Sequence, residues 1–174
     1  MLLAAPTTAA PSPRGAYGLS ASVLIIALVV IATALAFEHI GGYAPCPLCL
    51  QQRYAYYAGV PLAALSLVLF STGRLTVSAV VMFVVALGFL ANAGLGVYHA
   101  GAEWKFWPGP VSCGTIQAIG SSGGGLLGAL DKARVIACDE APLRIAGLSF
   151  AGWNVVTSFG LFVLALKAAF SARG

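Results

Sequence analysis

Four stretches of the chain, roughly 15–37, 54–73, 75–101 and 145–166, carry no Asp, Glu, Lys or Arg. Each is close to the ~20 consecutive apolar residues that cross a bilayer as a helix. The runs are continuously apolar rather than alternating, and backbone groups in lipid must be satisfied within a helix or a closed barrel. The expected fold class is therefore an all-α membrane protein, a four-helix transmembrane bundle. Its spans are expected at about 17–38, 52–71, 75–98 and 147–168. Pro61 falls inside the second run and is expected to kink that helix near its start.

Composition agrees with a lipid solvent: 60% of the 174 residues are hydrophobic and 8% are charged. The net charge of +4 is a matter of topology. With an even number of spans the termini share a side, and that side holds Arg14, Arg74, Lys167 and Arg173 with no acidic residue. The positive-inside rule makes it cytoplasmic. On the other side Arg53, Lys105, Lys132, Arg134 and Arg144 balance Glu38, Glu103, Asp131, Asp139 and Glu140. No basic stripe suggests phosphate binding. Residues 1–14, rich in Ala, Pro and Thr, are expected to be a disordered cytoplasmic tail, and 15–174 one membrane domain. Arg14, the apolar run and Ala34-Leu35-Ala36 also resemble a signal peptide, but the run exceeds the ~7–15 residues of such segments.

This topology puts outer loops at about 39–51 and 99–146, with all four cysteines outside. The long loop opens with Trp104, Phe106 and Trp107, residues suited to the headgroup level. Gly120 to Gly125 is a flexible Gly/Ser stretch, and Leu126 to Ile136 is expected to form a short amphipathic helix in the interface.

Cys46-Pro47-Leu48-Cys49 lies where the first outer loop enters the second helix, with Pro47 suited to the first helical position and Cys46 to the N-cap. Cysteines at i and i+3 of a regular helix have Cβ atoms ~5–6 Å apart, whereas a disulfide needs ~3.5–4.5 Å. A non-helical Cys46 closes that gap, and the helix N-terminus favours the thiolate that exchange chemistry requires. Arg53, four residues beyond Cys49, sits one turn down the same face, where its guanidinium can stabilise a thiolate or a reduced quinone. Its other reading is an interfacial anchor.

Cys113 and Cys138 flank the Gly-rich stretch, and an even cysteine count facing an oxidising compartment favours two disulfide pairs. Taken alone the outer pair reads equally as a loop staple or as a redox pair, and the CxxC beside it, whose spacing suits redox cycling, weighs against a mere staple. Zinc is disfavoured because Cys113 and Cys138 lack a second paired spacing, and a c-type haem would need His where Leu50 stands.

Cys46-Pro47-Leu48-Cys49-Leu50-Gln51-Gln52-Arg53, four spans and two further outer-loop cysteines together resemble the bacterial disulfide-bond-formation protein B (DsbB) family. Tyr98-His99, Pro108 and Pro110 before Cys113, and Gly147 and Trp153 after Cys138 also look like that family's pattern. The resemblance implies an inner-membrane oxidoreductase with catalytic Cys46, Cys49, Cys113 and Cys138, paired as Cys46–Cys49 and Cys113–Cys138. Its implied partner is a periplasmic thioredoxin-like (DsbA-like) oxidase, and its implied cofactor ubiquinone or menaquinone, with Arg53 and His99 at the quinone site. Asn92 is read as a helix-to-helix hydrogen bonder, Glu38-His39 as solvated helix-end polarity, and Tyr43 and Trp153 as interfacial aromatics. The loop insert at 121–125 departs from the family's pattern. Two alternatives remain: a vitamin K epoxide reductase-like enzyme, whose loop pair precedes its CxxC instead of following it, and a non-catalytic scaffold, which leaves Arg53 unexplained.

Overall fold

The structure, a computed structural model, describes residues 13–110, 138, 141 and 143–172. Four long helices are present: α1 Pro13–His39, α2 Pro47–Ser71, α3 Leu75–Glu103 and α4 Phe150–Ser171. All four are long and apolar enough to cross a membrane. Each begins or ends a few residues from its expected span. The largest extensions are at the start of α2, where Cys46 caps the helix, and at the end of α3, which adds a turn beyond Tyr98. Pro61 is accommodated on an exposed face within a single helix α2. Most of the tail, the Gly/Ser stretch and the expected interfacial helix lie outside the described residues.

Strands were not expected, yet a two-residue hairpin pairs β1 (Arg144–Ile145) with β2 (Leu148–Ser149) just before α4. Ala146 (φ 52) and Gly147 (φ 83) both adopt positive φ, as the two central residues of a type I′ turn must. The hairpin ends on Ser149, whose hydroxyl accepts from Gly152 N–H at 3.2 Å and so caps α4. At the opposite end of the bundle, Gly73 (φ 75) terminates α2. Gly73 N–H reaches Phe70 O and Arg74 N–H reaches Leu69 O, the two bonds of a Schellman motif.

In the bundle α1 neighbours α2 and α4, and α3 neighbours the same two. Its centre packs Val23, Ala27 and Ile31 of α1 against Tyr56 and Ala63 of α2, Met82 and Phe89 of α3, and Leu161 and Ala165 of α4. Ile25, Val29, Val68 and Val84 face outward instead. Lipid tails are as apolar as a leucine, so the helices associate through close packing and hydrogen bonds rather than water exclusion. Both devices are visible. Asn92 of α3 donates to Ser158 at 2.9 Å and to Asn154 at 3.3 Å on α4, as expected for an interhelical amide. Tyr56 of α2 meets Asn154, Thr157 and Ser158 from the other side.

Close approach is sharpest at Gly96 of α3, where a Cβ would come within 2.9 Å of Val155 Cγ2 and 3.3 Å of Val155 N. Gly96→Val is therefore expected to cost ~1–3 kcal/mol, the usual penalty of overpacking, in an SDS unfolding titration. Gly88→Ala, whose Cβ would meet nothing within 4 Å, is the matched control and is expected to leave the midpoint in place.

Candidate redox site

The site gathers at the end of the bundle where α2 and α4 begin and α3 ends. Cys46 is the N-cap of α2, in extended backbone (φ −75, ψ 164), and Pro47 occupies the first turn. This is the local geometry the motif predicts. Because Cys46 stands outside the helix, its Sγ turns back to accept the Cys49 N–H at 3.2 Å and comes within 3.0 Å of Cys49 Sγ. Both are free thiols here, with no bond between the two sulfurs. Cys138 is disulfide-bonded and buried, and it packs in one cluster with Cys46 and Leu48. Cys113 lies outside the described residues.

His99 meets this pair from α3. Its Nε2 is 3.6 Å from Cys46 Sγ, and its Nδ1 is 2.9 Å from the side-chain amide of Gln52. One turn further on, Glu103 Oε1 stands 3.8 Å from the same Nε2, with both side chains almost wholly buried. Ser149 donates its hydroxyl proton to Glu103, tying the end of α3 to the cap of α4.

Arg53, expected beside Cys49, is held by an ion pair with Glu38 of α1. Glu38 is thus more than solvated helix-end polarity. Only 12% of the Arg53 side chain is exposed, so it does not stand free in water as a surface anchor does. Both Arg53 and Cys49 line a cavity of about 710 Å³ to which all four helices contribute. Its apolar wall includes Val30, Phe37, Phe150 and Trp153, and Tyr56, Asn154 and Thr157 place polar groups along it. Tyr43, expected as an interfacial aromatic, closes one edge against Phe37 and Phe150. Trp153 donates to Ile145 O at 3.0 Å and so fixes the hairpin over the cavity.

Electrostatics distinguish the two thiols. The hydrogen bond from the Cys49 thiol is the largest influence on Cys46 and, with His99 and the Cys49 N–H, lowers its pKa to about 4 against the opposing effect of burial. Cys46 is then the thiolate of the reduced pair at neutral pH, with the remaining proton on Cys49. A depressed folded pKa adds stability that is complete above the unfolded thiol's value and is lost as pH falls through the folded one. Thiolate absorbance of the reduced protein is therefore expected to persist down to about pH 4. In Cys49→Ala, which removes the leading cause, the titration is expected to move upward towards neutral pH or above.

The sequence pointed to Cys46, Cys49, Arg53 and His99, and the structure brings these four to one cavity. It did not single out Gln52, Glu103 or Ser149. Gln52 and Glu103 had a readable signal, since Gln52 follows Cys49 by three residues and Glu103 follows His99 by four, the spacings of one helix face. Ser149 had none, because its contact depends on a hairpin the sequence did not suggest.

Residues 18–168 match the family model described as Disulfide bond formation protein DsbB. Disulfide bond formation protein B of Herminiimonas arsenicoxydans is 31% identical over 162 residues, covering 87% of this chain and 94% of the relative. Disulfide bond formation protein B 1 of Pseudomonas fluorescens (strain Pf0-1) is 36% identical over 150 residues, 80% of each chain. No solved structure matches. A family model spanning most of the chain, four membrane-crossing helices and a capped CxxC pair lead to one conclusion: this is a multi-pass membrane protein of the DsbB family, an oxidoreductase of disulfide bond formation.

Proposed function

We propose that the chain reoxidises a periplasmic thioredoxin-like (DsbA-like) dithiol oxidase and delivers the electrons to a membrane quinone, ubiquinone or menaquinone. It sits in the bacterial inner membrane with both termini cytoplasmic and all four cysteines periplasmic. One observation carries this reading: Cys46 packs against the disulfide-bonded Cys138 on one side, while its neighbour Cys49 faces an apolar cavity on the other. A pair so placed can take electrons from a loop and present them to the membrane.

Cys138 is bonded while Cys46 and Cys49 are free, which supports Cys113–Cys138 as the loop disulfide. The partner's thiolate attacks Cys113, forming a mixed disulfide and expelling Cys138 as thiolate. The partner's second cysteine then resolves it, and the partner leaves oxidised. Two electrons now rest on the loop dithiol. Cys138 attacks Cys46 of the oxidised Cys46–Cys49 pair and expels Cys49. Cys113 attacks Cys138, restores the loop disulfide and releases Cys46 as thiolate, which the Cys49 thiol, the Cys49 N–H and His99 receive.

A bound quinone supplies the two-electron, two-proton acceptor that returns Cys46 and Cys49 to the disulfide. The cavity fits such a group, since it offers an apolar slot for a ring and one cation, Arg53, for an oxygen that gains negative charge. Glu38 fixes the guanidinium, and the aromatic wall of Phe37, Phe150 and Trp153 excludes water from the Cys49 side.

The test is to reconstitute purified protein with quinone and a reduced thioredoxin-like partner and to compare Cys49→Ser and Cys113→Ser variants. Quinone reduction that depends on both cysteines is the expected result. Reduction independent of both would sink the relay, and a scaffold would show no thiol-dependent turnover at all.

A further inference from the structure

Cys46, Cys49 and His99 bring two Sγ atoms and one Nε2 within 4.8 Å of one another. In a tetrahedral zinc site, with Zn–S ~2.3 Å and Zn–N ~2.0–2.1 Å, the sulfur–nitrogen edge is ~3.6 Å and the sulfur–sulfur edge ~3.8 Å. Cys46 Sγ and His99 Nε2 are 3.6 Å apart, already at that edge. The two sulfurs, at 3.0 Å, need to open by ~0.8 Å to reach theirs, within reach of a small rotation of the Cys49 side chain. Glu103 Oε1 lies 3.8 Å from His99 Nε2 and sets a carboxylate beside the three ligands, outside the group they form.

We propose that the reduced pair is a site for one thiophilic divalent cation of the zinc type, held by Cys46, Cys49 and His99 with the fourth position open to water, and that the site exists only while the pair is reduced. Binding releases the protons that the ligating thiols carry and moves no electrons. Oxidation to the disulfide consumes both thiolates, so the cation and the disulfide exclude each other. A bound cation holds the pair reduced and blocks its reoxidation; this inhibitory effect rests on the relay proposed above, whereas binding itself does not. All three ligands border the cavity, which gives the ion a way in. The outer contacts also suit a metal. Ser149 orients the Glu103 carboxylate, and Gln52 meets His99 Nδ1 at 2.9 Å. Ligation through Nε2 puts the ring proton on Nδ1, and an exchange of the two ends of the Gln52 amide turns its oxygen to accept it.

The experiment uses the full chain in detergent under anaerobic conditions, with Cys113→Ser and Cys138→Ser removing the loop thiols. Co²⁺ is titrated into the reduced and oxidised forms of this one protein, which are each other's folding control. The expected result is one equivalent bound to the reduced form, with thiolate-to-metal charge transfer and tetrahedral visible bands, displaced by Zn²⁺, and none bound to the oxidised form. His99→Ala is expected to weaken Co²⁺ at least as much as the ~10–100-fold typical of losing an outer-shell partner, the range expected for Gln52→Leu. Equal binding by the oxidised form, or binding without thiolate charge transfer, overturns the site. In a parallel assay on the four-cysteine protein, Zn²⁺ is expected to stop thiol-dependent quinone reduction. Thiol-dependent turnover without Co²⁺ binding refutes the site and leaves the relay standing, and Co²⁺ binding without turnover does the reverse.

Discussion

Cys49→Ser is expected to lower partner-dependent quinone reduction by at least about 10³-fold, because serine has no redox couple and the intramolecular exchange of well-oriented groups is lost. The same change is expected to rearrange the remaining cysteines. Without Cys49, the Cys46 thiolate has no resolving partner on its own helix, and Cys138 is the nearest disulfide, packed in the same cluster. Attack by Cys46 on Cys138 forms a Cys46–Cys138 bond and releases Cys113 as a free thiol, with one disulfide before and one after. Peptide mapping under non-reducing conditions is expected to find that linkage in most of the purified variant, with Cys113 open to alkylation. Cys46→Ser removes the attacking sulfur and is expected to lose turnover equally while leaving Cys113 protected. A Cys49→Ser protein that keeps Cys46 free and Cys113 blocked would show that the two pairs do not exchange.

The parts legible in the sequence were those that depend on local pattern. Four charge-free runs fixed the helices because hydrophobic length is a one-dimensional property. Cys46 as N-cap and Pro47 in the first turn followed from residue preferences within four positions. What escaped were contacts made across the bundle. Glu38 sits fifteen residues before Arg53 on another helix, and nothing in the spacing announces their pairing. Glu103 was counted only as an outer-loop charge because α3 was expected to stop near Tyr98. One extra turn of helix places it under His99 and Ser149. A search for two closely spaced cysteine pairs likewise cannot see His99, which the fold of α3 brings beside the CxxC from about fifty residues away. The hairpin was missed because two-residue strands are too short to show alternation, and only Ala146-Gly147, a weak turn signal, marks it.

The Arg53–Glu38 pair supports an experiment that separates holding the helices together from serving the redox pair. Arg53 is the more buried partner, at 12% side-chain exposure against 27% for Glu38, and a guanidinium cannot shed its charge. Glu38→Ala therefore strands a cation at the bundle's edge. The cost is expected at about 2–3 kcal/mol, below the ~3–5 kcal/mol of a fully buried pair because water reaches the Glu38 side. Arg53→Met is expected to cost less, since the carboxylate left behind is the more exposed partner and can turn to solvent. The double variant Glu38→Leu/Arg53→Met removes both charges and is expected to recover most of the stability in an unfolding titration, as apolar replacements of buried pairs often do. Turnover should not follow stability. If the guanidinium serves the Cys49 end of the cavity electrostatically, both Arg53→Met and the double variant are expected to lose about 10²-fold in quinone reduction, the scale of losing one positioned charge or donor. Glu38→Ala, which keeps the cation, is expected to lose far less. A double variant that is both stable and fully active would reduce Arg53 to a helix fastener and move the electrostatic work at the cavity to the Cys49 thiol and its helix end.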